Sequence, residues 1–224
     1  MITIASLVQA FSIFVACWTI IAGVGAWRRE FIGKRQIELA EQALASFFEV
    51  KDAIIYIRNP FLMKSEGSSR EHQENESIEE ARILDRGYVS IERYALKEKV
   101  FSDFNIVKYR YMAAFGSDKE DIFTSIAIEL NKIFNAAHTL ATIYWKRGNQ
   151  EFALSQGNDQ YMKDMRHFEE IIWSINPENN EIGKVLQAAQ ERMEAVAKSC
   201  SQEPMDSYRW LTKPWSLPKS LSKG

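Results

Sequence analysis

Residues 120–148 read EDIFTSIAIELNKIFNAAHTLATIYWKRG, and this stretch decides the fold. Phe123, Ile126, Leu130, Ile133, Ala137, Leu140 and Tyr144 are apolar at spacings of 3 and 4. That repeat lines one face of an α-helix, whereas a half-buried strand would alternate every second residue. Gly148 follows as a C-cap, and Ser117 with Glu120 reads as a capping box in front.

Working upstream, Gly116 closes a second helix that opens at another capping box, Ser77 with Glu80. Leu84, Tyr88, Ile91 and Ala95, then Val100, Phe104, Val107 and Tyr111, mark its expected apolar face. Before it, residues 61–76 (FLMKSEGSSREHQENE) are polar, mixed in charge and without period. A loop of that length inside a domain is expected to be mobile or functional. Residues 30–58 carry a further helical stripe, Ala40, Ala43, Phe47, Val50, Ile54 and Ile57, broadened by Leu44 and Phe48. Asn59-Pro60 stops it, because a residue before proline is pushed out of the α region.

Downstream, Met162, Met165, Phe168, Ile172 and Ile175 define a shorter helix. Asn176-Pro177 then reads as N-cap and N1 proline of a last helix bearing Ile182, Val185, Ala189, Met193, Val196 and Cys200. No stretch alternates with period 2 between turn signals. The expected fold is all-α, an N-terminal transmembrane helix followed by a four- to five-helix antiparallel bundle. The expected organisation is an anchor over 1–27, a bundle over 28–200 and a tail over 201–224.

The anchor rests on residues 2–27, ITIASLVQAFSIFVACWTIIAGVGAW, which hold no charged side chain. As a helix that run reaches roughly 39 Å, against a hydrocarbon core of ~30 Å. Trp18 lies within it, and Trp27 closes it at the level where amphipathic rings favour the interface. Arg28, Arg29, Lys34 and Arg35 follow, opposed by Glu30, while the N-terminal flank has no Lys or Arg. The positive-inside bias then places the N-terminus outside and the rest in the cytoplasm, in a plasma (inner) membrane crossed once. A cleaved signal peptide would want a basic n-region and a shorter apolar core, and a lipoprotein site at Cys17 would want the same n-region. Small residues recur four apart (Ser6 with Ala10, Ser12 with Ala16, Ala22 with Ala26), and Gln9 adds a polar group suited to a neighbouring helix in lipid.

The tail holds Pro204, Pro214 and Pro218, and after Asp206 it has no acid. Arg209, Lys213, Lys219 and Lys223 alternate there with Trp210, Trp215 and leucines. An extended, weakly ordered tail is expected, and three readings stand: contact with an anionic membrane or a partner, packing of the tryptophans back onto the bundle, or plain disorder.

Composition narrows the chemistry. The 224 residues carry 28 Lys and Arg against 30 Asp and Glu, so the chain as a whole is not the basic surface nucleic acid requires. Two cysteines support neither a disulfide framework nor a four-sulfur zinc site. Paired Glu-x-x-His motifs, a G-x-S-x-G elbow and Gly-rich phosphate loops are all absent from the sequence. His138 reads as a half-buried packing residue, and His72 as solvated among Glu71, Glu74 and Glu76. Gly67-Ser68-Ser69-Arg70 has the composition of a small anion nest. Arg58, Arg82, Arg86 and Arg93 read as solvated helix faces, with local pairs Arg82–Asp85 and Arg86–Glu92.

The expected function is therefore a membrane-anchored interaction module whose partners are membrane lipid and a protein or a second copy of the chain. No cofactor, metal or nucleic acid is expected. A sensor is the alternative, with a ligand pocket lined by Tyr88, Tyr111 and Trp145. The third reading is an enzyme in which His138 or His167 meets a buried acid in three dimensions.

Overall fold

Apolar residues at helical spacing can satisfy their backbone internally and bury one face, and the computed structural model takes that solution throughout. It describes residues 4–63, 65–146, 159–174 and 180–206. Among these residues there are five α-helices and no strand: α1 (Ile4–Ile57), α2 (Ile78–Phe115), α3 (Glu120–Thr139), α4 (Asp159–Ile172) and α5 (Glu181–Asp206). A 3-10 turn, Ser117–Lys119, leads into α3, and a π-helical segment, Leu140–Trp145, continues it.

The helix ends follow from side-chain chemistry. Ser77 caps α2 by accepting the Glu80 N–H at 3.1 Å, one half of the expected box. The Glu80 carboxylate pairs with Lys146 instead. Gly116 ends α2 at φ +99°, a conformation that favours glycine. At the start of α3 the second expected box is absent, because Ser117 is already inside the 3-10 turn and makes no capping bond. Helix α5 is capped by Asn180, whose Oδ1 accepts the Gly183 N–H at 2.8 Å. The Asn176-Pro177 cap lies outside the described residues, as do Gly148 and Ile175.

The residues divide into two compact units, Gln42–Ala195 and a second of Met1–Glu41 with Val196–Gly224. Within the first, contacts fix the helix directions. Gly87 of α2 meets Ala141, Tyr94 meets Phe134 (ring centroids 5.2 Å apart) and Phe104 meets Phe123 at 4.9 Å. Rising numbers on one helix meet falling numbers on the other, so α2 and α3 are antiparallel. The pairs Lys51–Gln190 and Arg58–Asn180 set α1 antiparallel to α5 in the same way. The core contains Phe47, Val50, Ile54 and Ile57 of α1, Phe101, Phe104, Val107 and Tyr111 of α2, and Ile122, Phe123, Ile126 and Ile133 of α3. Helix α4 adds Ile172, and α5 adds Ile182, Leu186, Ala189 and Met193.

The stripes on α1 and α3 match the sequence expectation closely, apart from Phe48, which is exposed. The first half of α2 does not. Ile91 and Ala95 are exposed, and the buried positions are Gly87, Val89, Ser90 and Arg93. The face is rotated because a buried arginine and a glycine-mediated close approach occupy it, and neither raises the hydrophobic signal.

In the second unit, α1 carries one run long and apolar enough to cross a membrane. Every residue from Val8 to Val24 is exposed, Gln9 and Trp18 included. Ser12 donates to the Val8 carbonyl and Thr19 to the Ala16 carbonyl, both at 2.9 Å. Their hydroxyls are thus satisfied inside the helix.

Candidate functional site

The last turn of a helix leaves carbonyl oxygens without intrahelical partners, and these attract cations. The C-terminus of α1 is met by Arg93, which is only 2% exposed. Its Nη1 donates to the carbonyls of Asn59 (2.6 Å), Ile57 (3.3 Å) and Tyr56 (3.4 Å). Its Nη2 reaches the Phe61 carbonyl at 2.7 Å, and the fork closes on Glu66 through Nε–Oε1 at 2.9 Å and Nη2–Oε2 at 2.8 Å. Glu66 also accepts the Met63 N–H at 2.9 Å. The Arg93 guanidinium holds the Glu66 carboxyl below the usual carboxylate range.

Loop 61–76 is therefore built rather than loose over its described residues. A second fork reinforces it. Arg70 donates through Nε to Asp85 at 2.8 Å and through both terminal nitrogens to Glu76, at 2.9 and 2.5 Å. These bonds push the Arg70 guanidinium upward and the Glu76 carboxyl downward from their ordinary pKa values. His72 is not merely solvated, since its Nε2 lies 3.0 Å from Asp85 Oδ1. Gly67, at φ +87°, turns its N–H onto the Glu92 carboxylate, so the nest-like tetrapeptide binds an anion supplied by α2. A Cβ on Gly67 would fall 2.2 Å from the Asp85 carbonyl oxygen, which explains the glycine.

Most of the exposed residues of this scaffold are polar, but its first three present an apolar surface. Phe61 is 82% exposed and Met63 73%, with Leu62 also exposed, on backbone fixed by Asn59, Arg93 and Glu66.

A second arginine closes the other helix junction. Arg58, 3% exposed, donates to the carbonyls of Ile171 (2.8 Å) and Glu170 (2.9 Å) at the end of α4, and to Asn180 Oδ1 (3.2 Å) at the start of α5. Its own carbonyl accepts the Ser174 N–H at 2.9 Å. Burial pushes its pKa down to about 10, opposed by the charge of Glu129. Glu129 is itself buried; Lys132 binds its Oε1 at 2.8 Å, and among the described residues Oε2 meets no hydrogen-bond partner. Arg86, which is exposed, lies over the stacked rings of Trp145 and Trp173, 4.2 and 4.6 Å from their centroids.

The expected local pairs do not form: Arg82 lies 3.9 Å from Glu79, Asp85 belongs to Arg70 and His72, and Glu92 to Gly67. The reading of Arg58 and Arg93 as solvated is overturned, because both are buried hydrogen-bond hubs. A charge on an otherwise apolar stripe, beside a helix that stops at Asn-Pro, was the available signal. His138 is exposed rather than half-buried, and His167 is exposed with its ring against Phe168 at 5.8 Å. Tyr111 packs on Phe115 and Phe123, while Trp145 sits beside Arg86. From residue 86 to residue 111 is roughly 37 Å along α2, so Tyr111 and Trp145 do not line a common pocket. A shallow open groove on α1 and α2 is lined instead by Gln42, Ser46, Glu49, Asp103 and Arg110. No group of three or more metal-ligating side chains occurs among the described residues.

Of the anchor residues, Gln9, Trp18, Trp27, Arg28 and Arg29 are all exposed on α1. Arg209, Trp210, Lys213, Trp215 and Lys219 lie outside the described residues. No protein-family model matches the chain, and no curated protein or solved structure matches it.

Proposed function

We propose that this chain is a membrane-anchored helical interaction module, with the uncharged run 2–27 crossing the bilayer and an antiparallel bundle on the cytoplasmic side. The observation that carries the reading is the N-terminal half of α1, uncharged and exposed from Val8 to Val24. In water such a surface is strongly unfavourable, whereas in hydrocarbon it is matched by lipid tails. Backbone and hydroxyl groups satisfied within the helix suit the same solvent. The Arg28–Arg35 flank supports an N-terminus outside. Phe61, Leu62 and Met63, held out by a hydrogen-bonded loop, are the surface assigned to a protein partner or a second copy.

The test is the full-length chain with a C-terminal tag, cross-linked in intact cells and then treated with protease in spheroplasts. The tag should stay with carbonate-washed membranes, resist external protease and appear in one defined cross-linked product. F61S/M63S should abolish that product while leaving membrane retention intact. Digestion from outside would overturn the orientation. A monomer without a cross-linked product would overturn the interaction role.

A further inference from the structure

An arginine next to a membrane span is unremarkable when a neighbouring carboxylate neutralises it, so the ion pairs of this flank decide what it does. Both nearby acids are committed farther along the helix. Glu30 pairs with Lys34 at 2.8 Å, and Glu38 with Arg35 at 3.5 Å. Among the described residues Arg28 and Arg29 form no ion pair. Trp27 and Phe31, one turn apart, stack at 5.8 Å between ring centroids and frame that stretch of helix.

Depth is the second observation. The Arg29 Nη1 lies 3.6 Å from where a Cβ on Gly25 would stand. The side chain therefore folds back one turn toward the apolar run, along a position that has no side chain to obstruct it. A run of roughly 39 Å centred on a core of ~30 Å overhangs it by roughly 4–5 Å at each end, or about three residues. Gly25 then lies at the hydrocarbon boundary, and a guanidinium there sits at the inner edge of the headgroup layer, within reach of the lipid phosphates.

We infer that Arg28 and Arg29, framed by Trp27 and Phe31, form a headgroup site for anionic phospholipid, binding the phosphodiester of a lipid with net negative charge. The inference rests on the membrane-anchor reading. A guanidinium presents paired N–H donors that match two unesterified phosphate oxygens. Zwitterionic headgroups carry their own ammonium beside the phosphate and gain less from two free cations. Lys34 and Arg35, already paired, contribute little to the selection.

The test uses the full-length protein. Flotation with vesicles of pure phosphatidylcholine checks the anchor. Native mass spectrometry then counts the lipids retained from an equimolar mixture of phosphatidylglycerol and phosphatidylcholine. Wild type should float with the phosphatidylcholine vesicles and, in the mixture, prefer phosphatidylglycerol by about fivefold per arginine. R28Q/R29Q should float equally well with that preference reduced to near unity, and K34Q/R35Q should keep it. Retained preference in R28Q/R29Q, or equal loss in K34Q/R35Q, would overturn the site. Flotation of wild type without preference would sink this inference alone, whereas failure to float would sink the anchor reading with it.

Discussion

Replacing Arg58 by methionine removes three hydrogen bonds while keeping most of the aliphatic stem that packs in the interior. The acceptors left behind are the Ile171 and Glu170 carbonyls and Asn180 Oδ1. Hydrogen bonds from a charged donor contribute ~1.5–3 kcal/mol each, so the gross loss is about 6 kcal/mol. Burial of the guanidinium offsets part of this. Burial lowers its pKa to about 10, which at 1.36 kcal/mol per pH unit is an unfavourable term of about 3 kcal/mol that the substitution relieves. The net expectation is a loss of about 3 kcal/mol, within the range for removing one member of a buried polar network and a large share of ordinary domain stability. The loss should be local first, because Arg58 joins the end of α4 to the start of α5. Hydrogen exchange on the full-length protein in detergent should show α4 amides losing protection before those of α2 and α3. Urea unfolding should give the total, with fluorescence of the stacked Trp145 and Trp173 as the probe. R58K should fall between the two, since one ammonium cannot span three acceptors. A loss below about 1 kcal/mol, or unchanged exchange in α4, would refute this account of the junction.

Three further outcomes follow from the same contacts. Glu66 and Glu76 have folded-state pKa values held below 4.5 by arginine bonds. Their contribution is fully present above the unfolded value near 4.5 and is lost as pH falls through the folded one. Protection factors of the loop 61–76 amides, corrected for the intrinsic pH dependence of exchange, should accordingly fall below about pH 4.5, and E66Q should flatten that dependence; a pH-independent protection factor in wild type would contradict it. Gly87→Ala would set a Cβ 2.5 Å from the Ala141 Cβ and 3.1 Å from the Ala137 carbonyl oxygen. Its overpacking cost of ~1–3 kcal/mol should outweigh the ~0.5–1 kcal/mol helix gain. Gly33→Ala meets nothing within 4 Å and should stabilise; urea midpoints moving in opposite directions would show both. A double-mutant cycle on Arg58 and Glu129 should return a coupling of ~0.5–3 kcal/mol, and exact additivity would show that the two charges do not sense each other.

Periodicity alone determined the helices and most of the core, because side-chain spacing and burial are local consequences of 3.6 residues per turn. Phe47, Ile54, Ile126 and Ile133 occupy the faces their spacing implies. Likewise, Ser77, Gly116 and Asn59-Pro60 mark ends that depend only on neighbours along the chain. The uncharged run of 2–27 needs no tertiary information either. Tertiary structure decided what the buried arginines do. Whether Arg93 is a solvated side chain or the pin of a loop is set by carbonyls 32 to 37 residues away. Arg58 meets acceptors more than 110 residues distant. A periodicity count reads an arginine on a core stripe as an interruption. Only the packed helices show that it lies where carbonyl ends converge, and there a buried cation is favoured over water.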